Sequence, residues 1–146
     1  MLENKKIFIL GMARSGYEVA KLLSSDNEIF ITDMKEQEKD KVEELEKLGV
    51  TIKICDDPIE YLDDSFDIMV KNPGIKYTHP CVVKAKDFDT IFAHEELGTF
   101  LIQIHNGQMS ISPLNQKAVE VLASADPAIR QQLEESIEEH LEDTQS

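Results

Sequence analysis

Ile7-Phe8-Ile9-Leu10-Gly11-Met12-Ala13-Arg14-Ser15-Gly16 is the stretch on which the fold turns. Four apolar residues run into a turn bracketed by two glycines, and Val19, Ala20, Leu22 and Leu23 follow at helical spacing. A buried strand, a tight loop and a helix in that order make the unit in which N–H groups at a helix N-terminus meet a phosphate. Gly11 permits a turn that a side chain would obstruct, and Gly16 lets the helix start close to the sheet. The dinucleotide fingerprint G-x-G-x-x-G is incomplete here, because Ala13 stands where its middle glycine would be. Taken alone, the loop also fits a purely structural turn.

Strand and helix signals alternate outward from it. Glu28–Thr32, with Ile29-Phe30-Ile31, reads as a second strand ending at Asp33, and Ser15–Leu23 as the helix before it. Glu36–Leu48 has Val42, Leu45 and Leu48 at helical spacing, with Gly49 as a C-terminal cap. Val50–Ile54 reads as a third strand, Asp57-Pro58 opens a short helix, and Phe66–Val70 is a fourth strand running into Asn72-Pro73-Gly74. His79-Pro80 begins another short helix, and Asp89–Ala93 is a fifth strand. Five strands separated by helices imply right-handed crossovers and a mainly parallel sheet covered on both faces. The expected architecture is therefore α/β: a three-layer, Rossmann-like domain over residues 1–97, with a helical appendage over 98–146.

In that appendage Thr99–Ile104 reads equally as a strand or as the start of a helix, and His105-Asn106-Gly107 as a turn. Ser112-Pro113 and Asp126-Pro127 each look like an N-cap followed by a first-turn proline, predicting helices over 113–123 and 127–143. Ile129, Leu133, Ile137 and Leu141 form a narrow stripe on the second helix, suited to the neighbouring helix, to the sheet or to another chain.

The formal net charge of −14 argues against general nucleic-acid or anionic-membrane binding, while leaving room for a local anion site. Cys55 and Cys81 have no redox or zinc spacing, and the four histidines show no ligand pattern, so no metal site is expected. The chain contains neither a nucleophile elbow nor any Gly-Lys pair, and so lacks the lysine-bearing loop that binds ATP. No signal peptide or membrane span is visible, and the expectation is a cytoplasmic protein. Asp33 lies seventeen residues after Gly16, where an acidic residue bonds ribose hydroxyls in NAD-binding folds, or caps the next helix. Asn72-Pro73-Gly74 is either a strand-ending turn or a turn that presents amides to a ligand.

Taken together, Lys6–Leu23, Ile31-Thr32-Asp33, Phe66–Ile75 with its Asn-Pro-Gly-Ile, His79-Pro80 and Thr90–Leu97 resemble the N-terminal domain of the Mur ligases of peptidoglycan synthesis. The likeness is greatest to the D-glutamate-adding members and covers about residues 1–97. In that family the domain holds the uridine diphosphate part of the nucleotide substrate. The resemblance implies that Arg14, Ser15 and Gly16, after Gly11, lie along the diphosphate. Asp33, Met34 and Lys35 would lie against uracil and ribose, and Asn72 and Gly74 would close the uracil side. The implied ligand is UDP-N-acetylmuramoyl-L-alanine or another UDP-sugar.

The family's ATP-binding and amino-acid domains have no counterpart in these 146 residues. The expectation is thus a UDP-binding domain without ligase activity of its own and without ATP or magnesium as cofactors, joined to a tail of different origin. Two other readings stand beside it. One is an NAD-binding Rossmann protein. The other is an interaction module that uses the acidic C-terminal helix, where Asp126–Ser146 holds seven acidic residues and one basic residue, to bind a protein partner.

Overall fold

A computed structural model describes residues 2–71, 79–84 and 88–145. Along them run β1 (Lys6–Leu10), α1 (Arg14–Leu23), β2 (Glu28–Asp33), α2 (Lys39–Lys47), β3 (Thr51–Ile54) and a 3-10 turn (Pro58–Tyr61). There follow β4 (Ile68–Lys71), α3 (Pro80–Lys84), β5 (Asp89–His94), β6 (Gly98–His105), β7 (Gln108–Pro113), α4 (Gln116–Ala123) and α5 (Pro127–Gln145). The strands form one sheet of order β3-β2-β1-β4-β5-β6-β7. From β3 to β5 every neighbouring pair is parallel, and β5–β6 and β6–β7 are antiparallel.

The five parallel strands are those the apolar runs predict. Strand β1 lies between β2 and β4, and Ile7–Leu10 are at most 4% exposed, because both of its faces are covered. Alternation divides its side chains. Ile7 and Ile9 join Ile29, Ile31, Ile68, Val70, Ile91 and Leu101 on one face, under Val19, Ala20 and Leu23 of α1 and Leu45 of α2. Phe8 and Leu10 point to the other face, where they meet Met69, Leu62, Phe66 and Cys81. The Phe8 ring stacks on Phe30 at 5.5 Å and meets Phe66 edge-on at 5.1 Å. Leu48, read as part of the apolar stripe of α2, is instead 44% exposed, since α2 ends at Lys47 and the chain turns away there.

The tail differs from its helical reading. Thr99–Ile104 belongs to a strand, and Asn106-Gly107, at φ +54° and +77°, is the two-residue turn of a β6–β7 hairpin. The sheet therefore has seven strands, and it continues through the turn at 95–97 with five register pairs between β5 and β6. Ser112-Pro113 caps no helix: both residues end β7, and Asn115 is the N-cap of α4, its Oδ1 accepting the Ala118 N–H at 2.9 Å. The same oxygen accepts the Thr99 N–H at 3.2 Å, which fastens α4 to the start of β6. Gly98, at φ +102°, makes this approach possible, because a Cβ there would lie 2.5 Å from the Ala118 nitrogen.

Helix α5 lays its stripe on the sheet. Leu133 and Ile137 are buried with Phe92, Phe100 and Ile102 of β5 and β6 and with Ala118 and Val121 of α4. Ile129 and Leu141 pack at the margin, and the His140 ring meets Phe92 edge-on at 5.4 Å. That stripe is thus used within the chain.

Candidate functional site at the carboxyl ends of the central strands

Chain order in the sheet reverses at β1. From there β2 and β3 run to one side, and β4 and β5 to the other. Ligands of open α/β sheets sit in the crevice beyond the carboxyl ends of the strands at such a switch point. The loops after β1, β2 and β4 are the ones that reach it.

Gly11 leaves β1 at φ +99°, a conformation glycine adopts without strain, and its N–H donates to the Thr32 carbonyl at 2.7 Å. The Met12 N–H donates to Asp33 Oδ2 at 2.8 Å, while the Met12 side chain is buried in the core beneath α1. The other carboxylate oxygen, Oδ1, accepts the Lys35 N–H at 3.0 Å. The Asp33 carbonyl accepts the Cys55 N–H at 2.9 Å. One residue thereby ties together the loops that follow β1, β2 and β3. A carboxylate that accepts two backbone amides is a stronger anchor than a neutral acceptor.

Helix α1 begins at Arg14, directly beyond this clamp. Its N-cap, Ala13, has no side-chain acceptor, and its first turn contains no acidic residue. The positive end of the helix dipole therefore faces the crevice without a capping carboxylate on its own helix. Ser15 and Gly16 are in that first turn. On the neighbouring loop Met34 is 66% exposed, and Lys35 is exposed beside it. Asn72 and Gly74 lie outside the described residues.

The structure thus brings Gly11, the first turn of α1 and Asp33–Lys35 to one end of the sheet. Two contributors escape a reading by residue type. The Met12 amide binds Asp33, a backbone role that leaves no mark on the sequence. The Thr32 side chain is 1% exposed at the last core position of β2, and its hydroxyl finds no hydrogen-bond partner among the described residues. Only its place immediately before Asp33 could have drawn attention to it.

Other chemistry is sparse. Among the described residues no group of three or more His, Cys, Asp or Glu side chains could hold a metal ion. Cys81 is fully buried, and burial pushes its thiol up to about 11, so it stays protonated and weakly nucleophilic. A groove of about 590 Å3 lined by Asn4–Lys6, Ser25–Glu28, Ser65 and Asp67 is at the opposite, amino-terminal end of the strands. Among the described residues no helix is long and apolar enough to cross a membrane.

Fold and site together define a class: a Rossmann-like α/β domain whose candidate ligand end is the β1–β4 switch point. The sequence relatives are more particular. The chain is 45% identical over 87 residues to the UDP-N-acetylmuramoylalanine–D-glutamate ligase of Enterococcus hirae, an alignment covering 58% of this chain and 19% of that ligase. The ligases of that name from Geobacillus sp. (strain WCH70) and Lactobacillus johnsonii are 40% identical over 87 residues and 44% over 90. They are matched over 58% and 60% of this chain, and over 19% and 20% of their own lengths. The resemblance to a Mur ligase domain is borne out over that stretch, and the chain spans about a fifth of the length of the curated relatives it matches. No family model matches the chain. Two solved structures share only a loose likeness. GenD2 from gentamicin A biosynthesis, in complex with NAD, has a TM-score of 0.44 at 16% identity over 62% of this chain and 26% of its own. The precorrin-2 dehydrogenase SirC has 0.49 at 12% identity over 96% of this chain and 69% of its own.

Proposed function

We propose that the chain binds the uridine diphosphate moiety of a UDP-sugar, UDP-N-acetylmuramoyl-L-alanine being the leading candidate, in the crevice beyond β1, β2 and β4. The observation that carries this reading is the clamp: Asp33 holds the glycine loop so that the N-terminus of α1, which has no acidic residue in its first turn, faces the switch point. An anion is the ligand such a terminus favours. Arg14, Ser15 and Gly16 lie along the diphosphate in this reading. The exposed Met34 side chain offers an apolar surface to the flat uracil, with Asp33 and Lys35 at the ribose and with Asn72 and Gly74 on the far side of the base. The 40–46% identity to D-glutamate ligases supports uridine over other nucleotides.

No catalysis is assigned to this chain alone. It has no Gly-Lys pair from which a phosphate-binding lysine loop could be built, so no ATP-using step is assigned to these residues. A cytoplasmic location fits such a substrate. With one domain contacting the ligand, affinity is expected around millimolar, about −4 kcal/mol.

Titration of labelled protein with UDP-N-acetylmuramoyl-L-alanine tests the proposal. Amide shifts concentrated at Gly11–Gly16 and Asp33–Lys35 are expected, and their absence at several millimolar overturns it. Thermal shifts with UDP, NAD and NADP in parallel decide between the uridine reading and a nicotinamide one, which the position of Asp33 also fits. Stabilisation by NAD alone would select the latter.

A further inference from the structure

We infer that the chain forms a symmetric homodimer through β7, joining two seven-stranded sheets into one. From Leu97 to Gln116 there are twenty consecutive residues without Asp, Glu, Lys or Arg, in a chain of which 30% is charged. Burial explains this for β6, whose residues 98–102 are all buried. It does not explain it for β7, where Gln108, Met109 and Ser110 are exposed.

Strand β7 is one of two sheet edges, and the two are unlike. The other edge, β3, is four residues long and carries an exposed lysine, Lys53, the usual guard against pairing with another strand. Strand β7 is six residues long and carries no charge. Its outward groups follow from the register. The Leu114 N–H donates to the Thr99 carbonyl at 2.8 Å, which sets the alternation of the ladder. Ser112, Ser110 and Gln108, opposite Leu101, Gln103 and His105, then turn their backbone groups toward β6. Met109, Ile111 and Pro113 turn theirs to the open edge. Pro113, with no N–H to donate, costs the β6 ladder nothing there.

A second copy fits this edge in one antiparallel register, with Ser110 opposite Ser110 on the twofold axis. Met109 of each copy then faces Ile111 of the other, and these four residues exchange hydrogen bonds, while Pro113 lies beyond the paired segment. On one face of the joined sheet Met109, Ile111 and Ile104 of both copies cluster. Met109 and Ile104 are 46% and 42% exposed in the single chain. On the other face the small Ser110 side chains suit the close approach of a pair that is not hydrogen-bonded. Charge selects the same place. Two molecules of net charge −14 repel, so their contact must be free of carboxylates, and β7 is. The area of two short strands gives a dimer at the weak end of the specific range, one that dissociates on dilution.

Analytical ultracentrifugation of the full chain over a wide concentration range tests this. The wild type is expected to move reversibly from monomer to twice that mass. Ser110→Glu and Ser110→Lys each place two like charges face to face and abolish the dimer. Mixing the two variants restores it, because opposite charges then meet. Circular dichroism checks that each variant, altered at an exposed position, keeps the fold. A wild type that stays monomeric at every concentration overturns the inference, as does a dimer indifferent to both variants or a mixture that remains monomeric. Nucleotide binding does not enter these measurements, so the outcome is independent of the UDP reading.

Discussion

The parallel part of the sheet and the antiparallel part solve the same burial problem in different ways. Strands β1, β2 and β4 are covered on both sides, by α1 and α2 on one face and by the turn at Pro58–Tyr61 with Phe66 and Cys81 on the other. They read as unbroken apolar runs. Strand β6 carries Phe100 and Ile102 to the face packed under α4 and α5, and toward its end alternates them with the half-exposed Gln103 on the other. Strand β7 has Gln108, Ser110 and Ser112 on that second face. The first pattern announces a parallel sheet. The second is that of an antiparallel hairpin with one solvated face, and it is easily lost beside helix-like caps.

Each part also has one polar side chain that pins its junction by two backbone N–H bonds. In the parallel part it is Asp33, holding Met12 and Lys35. In the antiparallel part it is Asn115, holding Thr99 and Ala118. The first lies at the candidate ligand end, and the second fixes architecture.

The largest effects should come from the two cores. Phe8→Ala and Phe100→Ala each empty a fully buried site and are expected to cost about 3–5 kcal/mol. Because the sheet is continuous, either change should lower the midpoint of one shared denaturant transition followed by circular dichroism. Two separate transitions would show the parts to be independent units. Asp33→Ala should cost about 1–3 kcal/mol by leaving the Met12 amide without its acceptor, and should also remove UDP-induced shifts at Gly11–Gly16 in the same titration. Retained binding would reduce Asp33 to a cap. Asn115→Ala should cost about 1 kcal/mol, the usual loss of a helix cap, and leave UDP titration unchanged. A change in ligand shifts there would erase the distinction between the two pins.

Legibility followed the origin of each signal. The glycine loop, the strand-end Asp33 and the alternation of strand with helix were readable because residue type and spacing carry them. The hairpin was half readable: Asn106-Gly107 marks a turn in any reading, but Thr99–Ile104 is apolar enough for either state. Ser112-Pro113 imitated a helix start. It proved to be a strand end because Pro113 sits on the sheet's open edge, a fact no local rule supplies. Of the site, the residues were nameable, but the clamp was not, since a backbone amide twenty-one positions before Asp33 is its partner.

Sequence by itself determined the parallel α/β layers, the glycine loop at the candidate ligand end, and the resemblance to one domain of a ligase. These depend on hydrophobic periodicity and on glycine and proline dihedrals, which act within a few residues. Tertiary structure alone decided that the sheet runs on through β6 and β7, that the stripe of α5 is spent on its own sheet, and that an uncharged strand is left at the edge. Those outcomes depend on which surfaces meet across the chain, and the free energy of burying them is set by distant partners rather than by neighbours in sequence.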